Sequence, residues 1–488
     1  MIVELVNAAS IQCGGLALVH AAGVRSVRML IPLGFLIGLC VHLLIGGAQA
    51  VLLMQTWPWV TITLTAVVPG LVWWFRRGWK RLGLRQVGWA VAAVVGAALL
   101  ATAFSLLDRI NFHVDSLEYM SIGALLTSGT FAEGVSLYQL EKRLLAVPLM
   151  HAAGSSDESF YLASISPMLA VSTVWLLVSM CLTGLKGHVS SKLLPWIAGG
   201  AGALLLTTNR FVHNAFYING HMLFAAMFLV LIGLAWLAAR GDLPKLVPLM
   251  LVAIPVLVIT RAEAPLMLVL ALGPVLLSSI WTQTERMALL TTLGGSVVVW
   301  QLFLLFIHYR AETSVSMSLV GMLAFGCMLL VTWPLLGTRV LERRPLHTLT
   351  SIEVGLWLAL FAMVARDAEP MLMSARATWE NIFVGTGGWG LTITYLTLIS
   401  VGALAAVRPQ ARHFLRYPLT TFIPVALLLV YLRGGAYRVA EADSLNRMLF
   451  HIVPLAVLFV GASACRASTP DEATATSPPS PQLDHDRT

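Results

Sequence analysis

The stretch Asp108-Arg109-Ile110-Asn111-Phe112-His113-Val114-Asp115-Ser116-Leu117-Glu118-Tyr119 crowds three carboxylates between two strongly apolar spans. Asp115 and Glu118 are three residues apart, so on a helix they share a face, with Tyr119 beside Asp115. Carboxylates at the edge of an apolar medium suit general-base chemistry, because partial desolvation raises the pKa and makes a better proton acceptor. The competing reading is structural: Asp115 or Ser116 can simply cap a helix that starts here. Spacing alone leaves both open.

Later charges stand in comparably costly places. Arg261 and Glu263, within Ile259-Thr260-Arg261-Ala262-Glu263-Ala264-Pro265, interrupt what would otherwise be one long apolar run. Such charges mark function, a paired structural site, or a solvated turn between two short spans. Arg447 stands where the last apolar span begins, and its guanidinium fits a phosphate bidentately; snorkelling to lipid headgroups is the alternative. His113, His213, His221 and His451 have no metal-ligand spacing, and of the four only His113, beside the carboxylates, is selected as a supporting residue.

The elements that must hold these residues are membrane helices. With 58% hydrophobic and 11% charged residues over 488 positions, and a mean hydropathy of +0.83, the chain is far too apolar to be a soluble domain. Apolar runs of about 20 residues recur from end to end, long enough to cross a hydrocarbon core as helices. The expected fold is therefore all-α and polytopic, with about 13 to 15 spans between 1–22 and 447–464. The first of these is interrupted by Glu4, Asn7, Gln12 and His20, and no Lys or Arg precedes Arg25, so it does not read as a signal peptide. Strand-like alternation is missing, which argues against a barrel.

Basic residues sort the loops. One set, from Arg25 through Arg76, Lys186 and Arg240 to Arg416, holds 18 Lys or Arg against four Asp or Glu, whereas the alternate set, from Arg109 to Arg447, holds 11 against 14. Basic loops stay in the cytoplasm, so the acidic loop 108–160 is expected to face outward. Two amphipathic helices are expected in that loop: one with Leu117, Met120, Ile122, Leu125 and Leu126 on its apolar face, and one from Leu137 to His151. The net charge of +8 reflects membrane orientation and anionic headgroups rather than nucleic acid, because the cations are scattered over short loops.

Other signals are weak. Cys13, Cys40, Cys181, Cys327 and Cys465 all fall in or at the ends of apolar spans and form neither a disulfide framework nor a metal site. Gly385-Thr386-Gly387-Gly388-Trp389-Gly390 satisfies a dinucleotide-binding spacing, but no strand precedes it, so it reads as a loop-to-helix junction. The Ser-, Thr- and Pro-rich tail is expected to be disordered and cytoplasmic, and its Asp484-His485-Asp486 is treated as chance.

Taken in order, these landmarks resemble the GT-C class of membrane glycosyltransferases, which use polyprenyl-phosphate-linked sugars and include protein mannosyltransferases and bacterial aminoarabinose transferases. Asp115-Ser116-Leu117-Glu118-Tyr119 matches the acidic motif of the first large outward loop, and Lys142-Arg143-Leu144-Leu145-Ala146-Val147-Pro148-Leu149 matches the basic stretch with its proline displaced. Arg261-Ala262-Glu263-Ala264 is similar to the Arg-x-Glu-Gly turn with alanine for glycine, and Arg447 with Pro454 to the last basic motif. About three spans precede the acidic loop instead of one, and no large soluble C-terminal domain follows.

The resemblance implies N-terminal transmembrane helices at 1–86, a catalytic membrane domain at 87–465 and a tail at 466–488. It implies an inverting sugar transfer at the outer face of the cytoplasmic membrane, from a polyprenyl-phosphate donor to a glycan, lipid or protein acceptor. Asp115 and Glu118 would be catalytic, Lys142, Arg143, Arg261 and Arg447 would contact the donor phosphate, and His113, Tyr119 and Glu263 would support them. No cofactor is required, although a divalent metal between Asp115 and Glu118 stays an open alternative. An O-antigen-type polymerase or ligase, and a secondary transporter, are the rival classes; the early acidic loop and the nearly charge-free span interiors disfavour them.

Overall fold

In hydrocarbon, every backbone N–H and C=O must be bonded within the chain, and an apolar run satisfies that demand as a helix. The computed structural model describes all residues except 77, 79–82, 136–139, 142–143, 153–154, 157–158, 333–344, 385–386, 407–413, 435–443 and 466–488. The tail and its Asp484-His485-Asp486 therefore lie outside the described residues, as do Lys142, Arg143, Gly385 and Thr386. The protein is an all-α polytopic membrane protein: among the described residues, nine helices are long and apolar enough to cross a membrane. Six shorter apolar helices of 10 to 17 residues stand between them. The sole sheet among the described residues is a two-residue antiparallel pair, Ser155–Ser156 with Ser159–Phe160.

The interrupted first span is a full helix, α1 (Ile2–Ala21). Two of its buried polar residues bond to other segments: the Glu4 carboxylate accepts the Ala163 and Ser164 N–H groups at 3.1 and 2.9 Å, and Gln12 donates to the Ile31 carbonyl at 3.1 Å. The next three spans are α2 (Val27–Leu53), α3 (Pro58–Phe75) and α4 (Leu84–Leu107). Because lipid tails are as apolar as the helices, close backbone packing does the work of association. A Cβ on Gly14 would strike the Thr65 carbonyl, and one on Gly15 the Gly34 carbonyl, so α1 lies wedged against α3 and α2. α4 buries the small stripe Ala93, Ala97 and Ala101 against the bundle, and its opposite face is exposed.

A single apolar core runs through the remaining spans, centred on helix Gly220–Ala239, nineteen of whose twenty residues are buried. Among the described residues, charged side chains of the two loop sets make contacts within their own set. At the basic end Arg240 pairs with Asp242 at 2.8 Å, Lys245 with Glu285 at 3.1 Å and Arg416 with Glu353 at 3.1 Å. At the acidic end Tyr161 bonds Asp108 at 3.0 Å, His308 bonds Glu141 at 2.7 Å and Asn111 bonds the His213 carbonyl at 3.1 Å. Each of these contacts joins members of one set.

Candidate functional site

The acidic motif folds as α5 (Val114–Ser128), ended by Gly129 at a φ of 78°, where a side chain would be strained. Its start goes against the competing reading of Asp115 or Ser116 as the N-cap. The cap is His113, whose Nδ1 accepts the Asp115 N–H at 3.3 Å, while Ser116 Oγ accepts the His113 N–H and donates to the Ile218 carbonyl at 3.2 Å. Two side chains thus satisfy the helix start, so the Asp115 carboxylate is not its cap. The expected apolar face is also rotated: Ser116, Tyr119, Ile122, Gly123 and Leu126 are buried, whereas Leu117 is exposed. Tyr119 packs with Val147 and Ile218 beneath the helix, and Glu118 follows one turn after Asp115, half-buried.

Asp115 Oδ2 accepts from Arg447 Nη1 at 2.6 Å, a charge-assisted contact across 332 positions of sequence. Arg447 is carried by the short helix Ser444–Leu449 at the mouth of the last span. Arg261 lies in the turn between helices Val247–Val258 and Ala264–Leu277, where its Nε and Nη2 both reach Glu263 Oε1, at 2.8 and 2.7 Å. The Glu263 side chain is 2% exposed, so this carboxylate is neutralised by Arg261 rather than by water. The turn is therefore a buried ion pair, not a solvated bend.

Sequence reasoning passed over Arg210. It sits in helix Asn209–Ala215, and its Nε donates to the Gly387 carbonyl. Burial first, and Arg447 second, pull its pKa below the usual arginine range. The glycine string contributes by close approach: Gly388 and Gly390 have φ of 65° and 75°, and a Cβ at Gly390 would meet Asn209 Nδ2 at 3.0 Å. The available signal was the one that selected Arg447, an arginine where an apolar helix ends on the acidic side.

Beneath the arginines, His221 Nδ1 and His451 Nε2 share a hydrogen bond at 2.9 Å, with both rings buried and Phe224 lying 4.3 Å from the His451 ring. His221 lies within the electrostatic reach of Arg210, Arg261 and Arg447 together. Among the described residues the cluster thus comprises three guanidiniums, two carboxylates and the His221–His451 pair. On its outer side His113 and His213 flank Tyr217, at ring distances of 6.2 and 5.4 Å. Burial, then Arg210, lowers the His213 pKa.

Of the second expected loop helix, Leu137 to His151, residues 137–139 and 142–143 lie outside the described residues; its last part is helical from Ala146 to His151, after Leu144 takes a φ of 59°. The Leu145 and Ala146 N–H groups bond the Ile259 carbonyl at 3.3 and 3.0 Å, which brings this segment against the Arg261 turn. His151 closes the loop, its Nδ1 accepting the Leu162 N–H at 3.2 Å, and burial pushes its pKa down to about 3. The unfolded chain protonates this ring near 6.5, so between those values it binds more protons than the fold does. Stability should therefore fall as pH drops below about 6.5, and thermal melts from pH 7 to 4 should lose that slope in His151→Gln.

Among the described residues, no group of three or more His, Cys, Asp or Glu side chains could hold a metal ion. Compared with known proteins, the chain matches no family model, no curated protein and no solved structure. Fold and site together define a class: a polytopic helical membrane protein with a cluster of opposed charges gathered at one end of its bundle.

Proposed function

We infer that the protein is an inverting glycosyltransferase, moving a sugar from a polyprenyl-phosphate donor to a hydroxyl acceptor at the outer face of the cytoplasmic membrane. The observation that carries this reading is the convergence of Asp115, Arg261, Glu263 and Arg447, selected separately along the chain, on one cluster at the acidic end. Asp115 accepts the proton of the acceptor hydroxyl as its oxygen attacks the anomeric carbon from the face opposite the phosphate. The bond to the phosphate oxygen breaks, and the polyprenyl phosphate leaves as a monoester whose added charge Arg261 and Arg447 stabilise. The imbalance between donor diester and product monoester is met by cations already in place, so no nucleotide is needed.

Charge sorting supports the orientation, since the end carrying the site is the one with excess carboxylates. In a background without native cysteines, a cysteine at exposed Ser128 should react with an impermeant maleimide in intact cells. Labelling only after permeabilisation would turn the site inward. For the activity, mass spectrometry of surface glycans, lipids and glycoproteins with and without the gene should reveal one missing sugar on one acceptor class. Identical profiles would count against glycosyl transfer.

A further inference from the structure

A second set of polar side chains is bonded in series, and none of its members is assigned to sugar transfer. Thr313 Oγ1 lies 2.9 Å from His308 Nδ1, and His308 Nε2 lies 2.7 Å from Glu141 Oε1. A carboxylate only accepts hydrogen bonds, so the ring proton sits on Nε2 and points at Glu141. Nδ1 is then a lone pair, and the proton in its bond to Thr313 comes from the hydroxyl. The carboxylate orients the imidazole, and the imidazole draws on the hydroxyl. Hydroxyl, base and orienting carboxylate bonded in this order are the parts of an activated nucleophile.

The fold shields the base and presents the nucleophile. His308 stands in the last turn of helix Gln283–Arg310 with its side chain 6% exposed, Glu141 reaches it from the loop 108–160, and Thr313 is exposed. A tight turn brings Thr313 back over the helix end: its N–H bonds the His308 carbonyl at 3.2 Å, and Glu312 before it takes a φ of 51°, a left-handed conformation that few side chains adopt. Strain of this kind persists only where the surroundings enforce it, and it collects at functional sites. The turn also stands at a lipid boundary. It joins one apolar helix to the next, Met317–Val331, and the flanking Tyr309 and Met317 are 83% and 84% exposed. A tyrosine at a span end belongs at headgroup level, the depth at which the ester carbonyls of glycerolipids lie.

We propose that Thr313, His308 and Glu141 form an ester-cleaving site at the membrane surface, and that its substrate is the fatty acyl ester of a membrane lipid. Thr313 Oγ1 attacks the ester carbonyl carbon as its proton passes to His308 Nδ1, and Glu141 stabilises the imidazolium that forms. The bond from that carbon to the lipid oxygen breaks, the lipid alcohol leaves with the proton from Nδ1, and the acyl group stays on Thr313. Water then attacks the acyl carbon and gives a proton to Nδ1. The fatty acid leaves, and Thr313 Oγ1 takes the proton back.

The test uses the full-length protein in nanodiscs of radiolabelled phosphatidylethanolamine, treated with a hexadecyl fluorophosphonate that phosphonylates an activated hydroxyl with loss of fluoride. Peptide mass spectrometry should find the label on Thr313. Thr313→Ser keeps the hydroxyl and should keep the label, whereas Thr313→Val should lose it with an unchanged melting temperature, because this side chain is exposed. His308→Gln should slow labelling by about 10²–10⁴-fold, and Glu141→Gln should slow it in the same direction. A bond series that serves only the fold would move the melting temperature and leave Thr313 unlabelled. Without the probe, the wild type should release free fatty acid and Thr313→Val should not. A wild type unlabelled at Thr313, or an equal labelling rate in His308→Gln, overturns the activated hydroxyl. Equal labelling by ethyl fluorophosphonate, or labelling of Thr313 without fatty acid release, overturns the membrane lipid as substrate.

Discussion

Asp115→Asn is expected to lower sugar transfer by about 10²–10⁴-fold while α5 stays folded. The helix start does not depend on this carboxylate, since His113 and Ser116 cap it. What the substitution does disturb is Arg447, which loses its counterion at 2.6 Å. The pair is 13% and 21% exposed, so the stability cost is below the about 3–5 kcal/mol of a fully buried pair. Adding Arg447→Gln to Asp115→Asn should recover that stability without recovering turnover. Recovery of transfer by the reversed pair, Asp115→Arg with Arg447→Asp, would reduce Asp115 to a structural ion.

Arg261→Lys should cost about 10²–10³-fold in transfer while the protein is still made. Arg261 places two donors, Nε and Nη2, on one Glu263 oxygen, a geometry that only the planar guanidinium provides. A lysine keeps the charge as a point and loses the planar fork. Arg447→Lys should act in the same direction. Rates measured on purified variants at matched amounts decide the matter, and full activity in both would mean that these arginines merely snorkel to headgroups.

Much of the fold was legible in the sequence because its signals are local. A run such as Val27–Leu53 contains enough apolar residues to specify a span by itself, and lone charges at Asp115, Arg261 and Arg447 stand out against such runs. The shorter helices were harder to bound, as Pro255 and Pro274 sit within helices Val247–Val258 and Ala264–Leu277 where periodicity gives no end point. Partnerships were not legible. The Asp115–Arg447 contact and the His221–His451 pair, 332 and 230 positions apart, depend on how helices pack and leave no trace in spacing. The His113 cap was hidden for another reason: histidine is not among the favoured capping residues, so the rule pointed to Asp115 and Ser116 instead. Arg210 was overlooked because the feature that gives it meaning, the Gly387 carbonyl, comes 177 positions later.

The central claim is tested most directly with the purified protein in liposomes, supplied with defined polyprenyl-phosphate sugars and a hydroxyl acceptor. The expected result is one polyprenyl phosphate released per sugar transferred, with the anomeric configuration inverted and the reaction lost in Asp115→Asn. Retained configuration, absence of polyprenyl phosphate release by the wild type, or a wild-type rate in a folded Asp115→Asn variant would contradict it.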